Sequence, residues 1–433
     1  MQQELYDILR SEVKPALGCT GPIGICYAAA QAKAAVGGQV KSITAKMDWG
    51  MSAKCDDVGF PGTEYLGVEL ALALGAVCGD PKAGLEVLHT VTPQGEEEAR
   101  KLAKDHVTVQ PQWQRDNLDI YLDVTVETDR GTGRAVVAHR SDGLVYQEAN
   151  GKAILGSLKD IEDIRVPESP IKKYTVKDCW ELASSCPLEQ LEFLGQAREY
   201  NLALAQQTLE HSLGAGIGGA LYRMAGENAV GRAKGLAAAG CEARMSGLNL
   251  PAMSLANKGN VGIAASLPLV SLAMDEQLPQ EKLLRAMALS YLVAIMVIHR
   301  IGKSPALCSC MVAASLGVAA GTVLLHSGTE KQAEMAIQNM VPNVFGVVCD
   351  GAKLACALRM ATSTGAAMDA ANLALSGVRL ANNQGVLCQT ADETIEFLGQ
   401  MGLHGMVESD RELSRAIFQK RVPLRHFQEA QQQ

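Results

Sequence analysis

The clearest pattern in this chain of 433 residues lies between Val107 and Ile154, where apolar and polar positions alternate with a period of two. Val107 to Gln110, Asp119 to Val126, Arg134 to His139 and Leu144 to Gln147 each read as a half-buried strand, with turn residues between them. Val40 to Met47 predicts another strand, followed by a Gly-containing loop. Elsewhere the period is that of helices. Residues 1 to about 35 read as two helices around a break at Lys14 to Pro22, and Glu64 to Val77 and Glu96 to Asp105 predict two more. Val166 to Lys173 carries two prolines and several charges and reads as a linker. Beyond this linker the chain reads as helix punctuated by Gly-rich turns. The expected fold is α+β. A small domain over residues 1–168 would hold an antiparallel sheet covered by helices, and a larger all-helical domain would span 174–425. The first helices, carrying Cys19, would pack on the latter.

Apolar residues make up 48% of the chain and charged residues 20%, the balance of a folded globular protein. Aromatics are only 4%, so Ala, Gly, Leu and Met fill the interior, which favours closely packed helices. A net charge of −8, with no basic run interleaved with aromatics, argues against nucleic acid as a partner. The polar, acidic start Met1 to Asp7 has no signal-peptide pattern. Apolar runs such as Ala286 to Ile298 are short for a membrane span, so no membrane is expected either. Twelve cysteines without a secretion signal point to reduced thiols in a cytoplasm, some of them metal ligands, rather than to disulfides.

The thiols then become the main candidates for chemistry. Cys308, Cys349 and Cys356 could converge on one iron–sulfur cluster or zinc ion and leave a coordination position open for Lewis-acid catalysis. The bland alternative is three buried thiols packing as small hydrophobes. Cys310 could replace Cys308 in the set, although Cys308 is preferred. An unbroken helix would put Cys349 and Cys356 about 10 Å apart along its axis. Asp350-Gly351 is therefore expected to turn, with a helix starting behind it and Cys349 at that helix's N-terminus, where an anionic cluster is favoured. Cys19 sits at a corner. Thr20 suits the N-cap and Pro22 the first turn of the next helix, whose positive end favours a thiolate able to act as base or nucleophile; the alternative is a structural thiol at a tight corner. The loop Leu250 to Gly262 offers amides and the Lys258 ammonium group to a carboxylate, or is a plain helix–helix connection. Gly214-Ala215-Gly216-Ile217-Gly218-Gly219 matches a dinucleotide fingerprint, yet it follows a helix instead of a strand and reads better as a helix crossing. His299 reads as a satisfied helix-end histidine. Gly302-Lys303-Ser304 ends like a phosphate loop, but Val297 stands where its first glycine should be.

Several strings along the chain share a resemblance. Glu12-Val13-Lys14-Pro15-Ala16-Leu17-Gly18-Cys19-Thr20 resembles the N-terminal signature of the L-cysteine desulfidase family, which is related to the alpha chain of iron–sulfur-dependent L-serine dehydratases. Pro61-Gly62-Thr63, Gly84 to Leu88, Leu250-Pro251-Ala252-Met253-Ser254, Cys349-Asp350-Gly351-Ala352-Lys353 and Gly402 to Met406 extend the likeness over the whole chain. The resemblance implies a [4Fe–4S] cluster on Cys308, Cys349 and Cys356 with one iron open to the leaving group. It also implies Cys19 as the acid–base residue and no pyridoxal phosphate. The implied reaction is α,β-elimination on a small L-amino acid such as L-cysteine or L-serine, giving pyruvate, ammonia and sulfide or water. Candidate substrate contacts are Thr20, Ser254, Asn257, Lys258, Asn260 and Lys353.

Three stretches depart from the family pattern. Gly21 replaces the glutamate of Gly-Cys-Thr-Glu-Pro. Cys55-Asp56-Asp57 replaces Asn-Gly after Lys54. Leu255 to Lys258 replaces a Ser- and Gly-rich stretch. The cluster ligands survive while candidate substrate contacts change. The expectation is therefore a cytoplasmic lyase acting on a small amino acid or a related β-substituted acid, with a homodimer admitted. The rival expectations are a cluster-binding redox or iron-responsive regulator without lyase activity, and a structural zinc site.

Overall fold

The computed structural model describes residues 2–115, 120–157, 159, 168–302 and 304–428. Asp119, Val166, Pro167 and Lys303, which figured in the expected strand, linker and phosphate-loop readings, lie outside the described residues. Gln2–Glu12 (α1) buries Leu5, Ile8 and Leu9, whose spacing of three and four marks one helix face. The expected break contains a strand, Val13–Leu17 (β1), before Thr20–Val36 (α2). Val40–Asp48 (β2) leads directly into a short helix, Trp49–Lys54 (α3), where a loop was expected. Asp48 caps α3 by accepting from the Met51 amide at 2.8 Å, which satisfies an otherwise unpaired helix-end donor. Val68–Cys78 (α4) and Pro93–Asp105 (α5) come next.

The strands are Val107–Gln112 (β3), Tyr121–Thr128 (β4), Gly131–Ala138 (β5), Leu144–Ala149 (β6) and Lys152–Leu155 (β7). With β2 they form a six-stranded sheet in the order β3-β2-β4-β5-β6-β7. The sheet is mixed, not purely antiparallel, because β3 returns alongside β2 in the same direction after the crossover through α3, α4 and α5. The apolar side chains of α2, α4 and α5 cover one sheet face, with Ile43, Leu122, Val124 and Val137 beneath them.

The second part is helical: Val176–Ser185 (α6), Phe193–His211 (α7), Ile217–Ala225 (α8) and Ala229–Met245 (α9) precede a strand, Pro251–Leu255 (β8). Gly259–Asp275 (α10), Gln280–Ile301 (α11), Ser309–Leu325 (α12), Glu330–Val344 (α13), Cys356–Leu375 (α14), Ala391–Gln400 (α15) and Val407–Lys420 (α16) complete it. Among the described residues α11 alone is long and apolar enough to cross a membrane, and it is buried at the centre of the helical core. The region is not wholly helical. β8 pairs antiparallel with β1, Val13 opposite Leu255 and Leu17 opposite Pro251, and Arg425–His426 pairs with Tyr65–Leu66. The β1–β8 pairing draws α1 and the start of α2 onto the helical core, where Leu5, Val13 and Cys19 are buried.

Two close approaches hold these parts in register. A β-carbon at Gly262 would stand 1.9 Å from the Met253 carbonyl oxygen, so only glycine lets α10 lie against β8. The C-terminal stretch straps back across the sheet side. Arg421 makes two bonds to Glu69, at 2.8 and 2.6 Å, and Arg425 reaches Asp56 at 2.8 Å and Asp57 at 2.6 Å.

Gly262→Ala should therefore cost about 1–3 kcal/mol in urea unfolding, since backbone must move to admit the methyl group. The strap also generates a pH prediction. Burial outweighs Arg425 and Arg421 and pushes the Asp56 carboxyl up from its ordinary 3.8 to about 6. A carboxyl raised in the folded state contributes most below its ordinary value and loses that contribution as pH rises through about 6. The stability of the wild type relative to Asp56→Asn should be greatest near pH 4 and shrink by about pH 7; a difference that grows with pH would mean that the ion pairs dominate instead.

Candidate functional site

Four helices begin at one cavity. Cys19 is the N-cap of α2, Lys258 of α10 and Cys308 of α12, while Cys356 is the first residue of α14. All four residues border the same space of about 190 Å³. Each helix start carries unpaired amides and the positive end of a helix dipole, so together they favour an anionic guest. Thr20 was expected as the N-cap of α2; Cys19 takes that position and Thr20 is the first helical residue.

The thiols meet through backbone contacts that the sequence does not advertise. The Cys308 amide donates to the Val347 carbonyl at 2.9 Å and the Cys349 amide to the Ala306 carbonyl at 2.7 Å, clamping the two chain segments side by side. Cys349 thus lies in an extended segment and not at a helix N-terminus as expected. Residues 350–355 wrap before α14 starts, with Gly351 at φ +102 and the Ala352 amide on the Lys54 carbonyl at 3.0 Å. The Asp350-Gly351 turn is present, but it is Cys356 that feels the helix end. Cys308 and Cys310 approach to 3.3 Å between sulfurs. Hydrogen bonds from Cys310 and Cys349 hold the Cys308 thiol well below its ordinary range, and one from Cys310 lowers Cys356. The donors Cys310 and Cys349 are correspondingly pushed up, chiefly by the bond each makes to Cys308. Four thiols, 349, 308, 310 and 356, are therefore strung along one cavity wall.

That donor set fits an iron–sulfur cluster, whose irons take thiolate sulfur. Among the described residues, no group of three Cys, His, Asp or Glu side chains is arranged around one single-ion position. The thiols instead line a cavity with room for a larger guest beside them.

Of the expected residues, Cys19, Thr20, Asn257, Lys258, Asn260, Cys308, Cys349 and Cys356 border the cavity, as does Cys310. Ser254 and Lys353 do not line it. The Ser254 hydroxyl donates to the Lys14 carbonyl at 2.7 Å across the β1–β8 pair, and the Lys353 ammonium is held by Asp350 at 2.6 Å. The departing stretch Leu255 to Lys258 forms a tight turn. The Lys258 amide donates to the Leu255 carbonyl at 2.8 Å, and Ala256 and Asn257 both have positive φ. This turn opens α10 and sets Asn257 and Lys258 at the cavity. Asp56 and Asp57, in the departing stretch after Lys54, are engaged by Arg425 and do not line it.

Sequence reasoning missed Lys54, His139, Arg140 and Arg244, all of which border the cavity. Lys54 is buried and paired with Asp410. Arg244 is 3% exposed; it donates to the Asn260 side-chain oxygen at 2.9 Å and the Gly18 carbonyl at 2.7 Å. A charged residue inside the Ala-rich run of α9 was a usable signal, because arginine is rarely buried without a task. His139 and Arg140 sit in the turn expected before Leu144, but nothing in the sequence marks their side chains as cavity residues. The glycine string 214–219 is explained by Glu242, which is fully buried and accepts from the amides of Ala215, Ile217 and Gly218 at 3.1, 3.0 and 2.6 Å. The protein's own carboxylate occupies what a dinucleotide phosphate would need. His299 pairs with Glu12 at 3.1 Å.

Residues 82–413 match the family model described as serine dehydratase alpha chain. The chain is 33% identical over 407 residues to a UPF0597 protein of Clostridium tetani, covering 94% of this chain and 96% of that one. A UPF0597 protein of Caldanaerobacter subterraneus subsp. tengcongensis is 33% identical with the same coverage. One of Desulfatibacillum aliphaticivorans is 33% identical over 429 residues, covering 96% and 98%.

Two of the departures from the family signature touch each other. A β-carbon on Gly21 would stand 2.9 Å from the Cys55 sulfur, so the bare glycine makes room for that thiol. Gly21→Ala should destabilise the fold by about 1–2 kcal/mol, and Cys55→Ala in the same chain should recover most of the loss. Equal costs in the single and double variants would show that the two positions are independent.

Proposed function

The chain belongs to the serine dehydratase alpha chain family, and from that premise we propose that it is an iron–sulfur-dependent lyase carrying out α,β-elimination on a small β-substituted acid. L-Cysteine and L-serine are the substrates that the desulfidase resemblance suggests. The observation that carries the reading is the meeting of the thiol row, Cys19 and four helix starts at one small cavity.

Cys308, Cys349 and Cys356 would hold a [4Fe–4S] cluster, with the helix starts at Cys308 and Cys356 compensating its negative charge. When bound, the cluster supplies a Lewis acid that makes the β-substituent a better leaving group. The remaining tasks fall to the chain. Arg244, steadied by Asn260 and the Gly18 carbonyl, binds the substrate carboxylate and so fixes the orientation of the α-carbon. Cys19 borders the same space from the start of α2 and takes the α-proton as general base. Asn257, Lys258 and Thr20 border the same space and are placed to contact the substrate. No pyridoxal phosphate is required by this scheme.

A cluster-binding regulator without turnover is the second reading, favoured by the altered cavity wall at Gly21 and Cys55. Release of a 2-oxo acid or an unsaturated acid by the anaerobically reconstituted protein separates the two. Cys19→Ser should keep the brown cluster absorbance and lower turnover about 10²–10⁴-fold, the range for loss of a general base. Serine at Cys308, Cys349 or Cys356 should instead remove the absorbance, whereas Cys310→Ser should retain it. An active Cys19→Ser variant would overturn the assignment of the base.

A further inference from the structure

We infer that the substrate is a small hydroxy- or mercapto-dicarboxylate rather than an α-amino acid. This rests on the lyase reading and narrows it.

An α-amino acid carries an ammonium group beside its carboxylate, and a buried ammonium needs a carboxylate or a full set of acceptors. Among the described residues bordering the cavity there is no Asp or Glu, whereas Lys54, His139, Arg140, Arg244 and Lys258 all border it. Lys54 and Arg140 have acidic partners outside the lining, Asp410 and Asp142. Arg244 is different. Its bonds go to Asn260 and the Gly18 carbonyl, and its buried Nε–H has no acceptor. A guanidinium bound on one edge with an orphaned N–H is a receptor for an anion. It is pressed against Gly259 at the start of α10, where a β-carbon would come within 2.3 Å of it. Four helix starts add positive potential from several sides. The signature position that would carry an acid is Gly21, and the space beside it is taken by the Cys55 thiol. The wall facing the substrate thus leaves the Arg244 guanidinium without a carboxylate partner and, among the described residues, offers no carboxylate to an ammonium. A second carboxylate on the ligand answers both facts.

The reaction balances without an added reagent. The base removes a proton from the carbon α to one carboxylate, and that electron pair forms the carbon–carbon double bond. The C–O or C–S bond on the neighbouring carbon breaks with its pair, and hydroxide or hydrosulfide leaves and takes up a proton. The products are an unsaturated dicarboxylate and water or hydrogen sulfide.

The test uses the full-length, anaerobically reconstituted protein with L-malate, D-malate and mercaptosuccinate set against L-serine and L-cysteine. Turnover is followed by unsaturated diacid or 2-oxo acid formation, and binding by calorimetry with succinate as an unreactive probe. The expected result is that diacids bind and serine and cysteine do not, with Arg244→Met weakening succinate at least about tenfold, the size of one charge-assisted bond. The double variant G21E/C55A, which returns an acid to the wall and removes the thiol that would clash with it, should shift preference at least about tenfold toward the amino acids. Should Arg244→Met misfold, the wild-type panel and the double variant still decide. Amino-acid binding or turnover exceeding that of the diacids overturns the inference and leaves the lyase reading intact. Arg244-dependent diacid binding with no turnover of any acid supports the ligand class and removes the lyase reading. Binding of neither class overturns the inference.

Discussion

The site depends on a five-residue strand pairing made across more than two hundred residues of sequence. β1 and β8 align Val13 with Leu255 and Leu17 with Pro251, and two further bonds lock the Val13–Leu255 end: the Ser254 hydroxyl donates to the Lys14 carbonyl at 2.7 Å and the Ala256 amide to the Glu12 carbonyl at 2.9 Å. Shortly beyond this ribbon, after each of its two strands, a helix starts. The pairing therefore decides where Cys19 and the Asn257-Lys258 turn stand relative to each other. It closes a very long loop, yet loop-closure entropy grows only logarithmically with length. Burial of α1 and Val13 in the helical core can offset that cost.

Once those two helix starts are fixed, electrostatics explains why sulfur collects between them. Positive helix ends pointing at one cavity repel each other's dipoles and are costly unless something negative lies there. The row of thiols answers this in part, since hydrogen bonds within the row hold Cys308 and Cys356 toward the thiolate. The same feature that strains the fold is the one that makes a receptor, a common relation between stored cost and function. Elsewhere in the protein the same need is met internally. At the start of α8 the buried Glu242 carboxylate supplies the negative charge, and no room is left for a ligand.

The legible parts of the sequence were those with strong local periodicity. The alternation from Val107 onward gave the strands, and Ala-rich helical runs gave the second part. What could not be read were non-local partners. Val13 to Leu17 looked like a break because a strand of five residues with a proline has no signature until its distant partner, Pro251 to Leu255, is known. The parallel placement of β3 likewise comes from a crossover, not from anything within Val107–Gln112. At the site, cysteine type and spacing picked out the thiols, and the fold brought them to one wall. Loop residues were harder. Ser254 carries a hydroxyl where a substrate contact was expected, but its strand neighbour claims it. Arg244 was overlooked because its helix reads as plain Ala-rich packing.

The adjacency of Gly21 and Cys55 bears on how the family signature should be read in this chain. Taken singly, each departure looks like erosion of a site. In space they are one change: the thiol occupies the volume that a side chain at position 21 would need. Random loss of function has no reason to leave complementary shapes behind, because a close-packed wall penalises a mismatched pair by overpacking or by a void. The thiol row and the Arg244 seat surround this altered patch, and the third departure, Leu255 to Lys258, forms an ordered turn beside it. A repacked wall of this kind is what a change of ligand would require, and it places Gly21 and Cys55, two of the departing positions, on the same cavity as the thiol row.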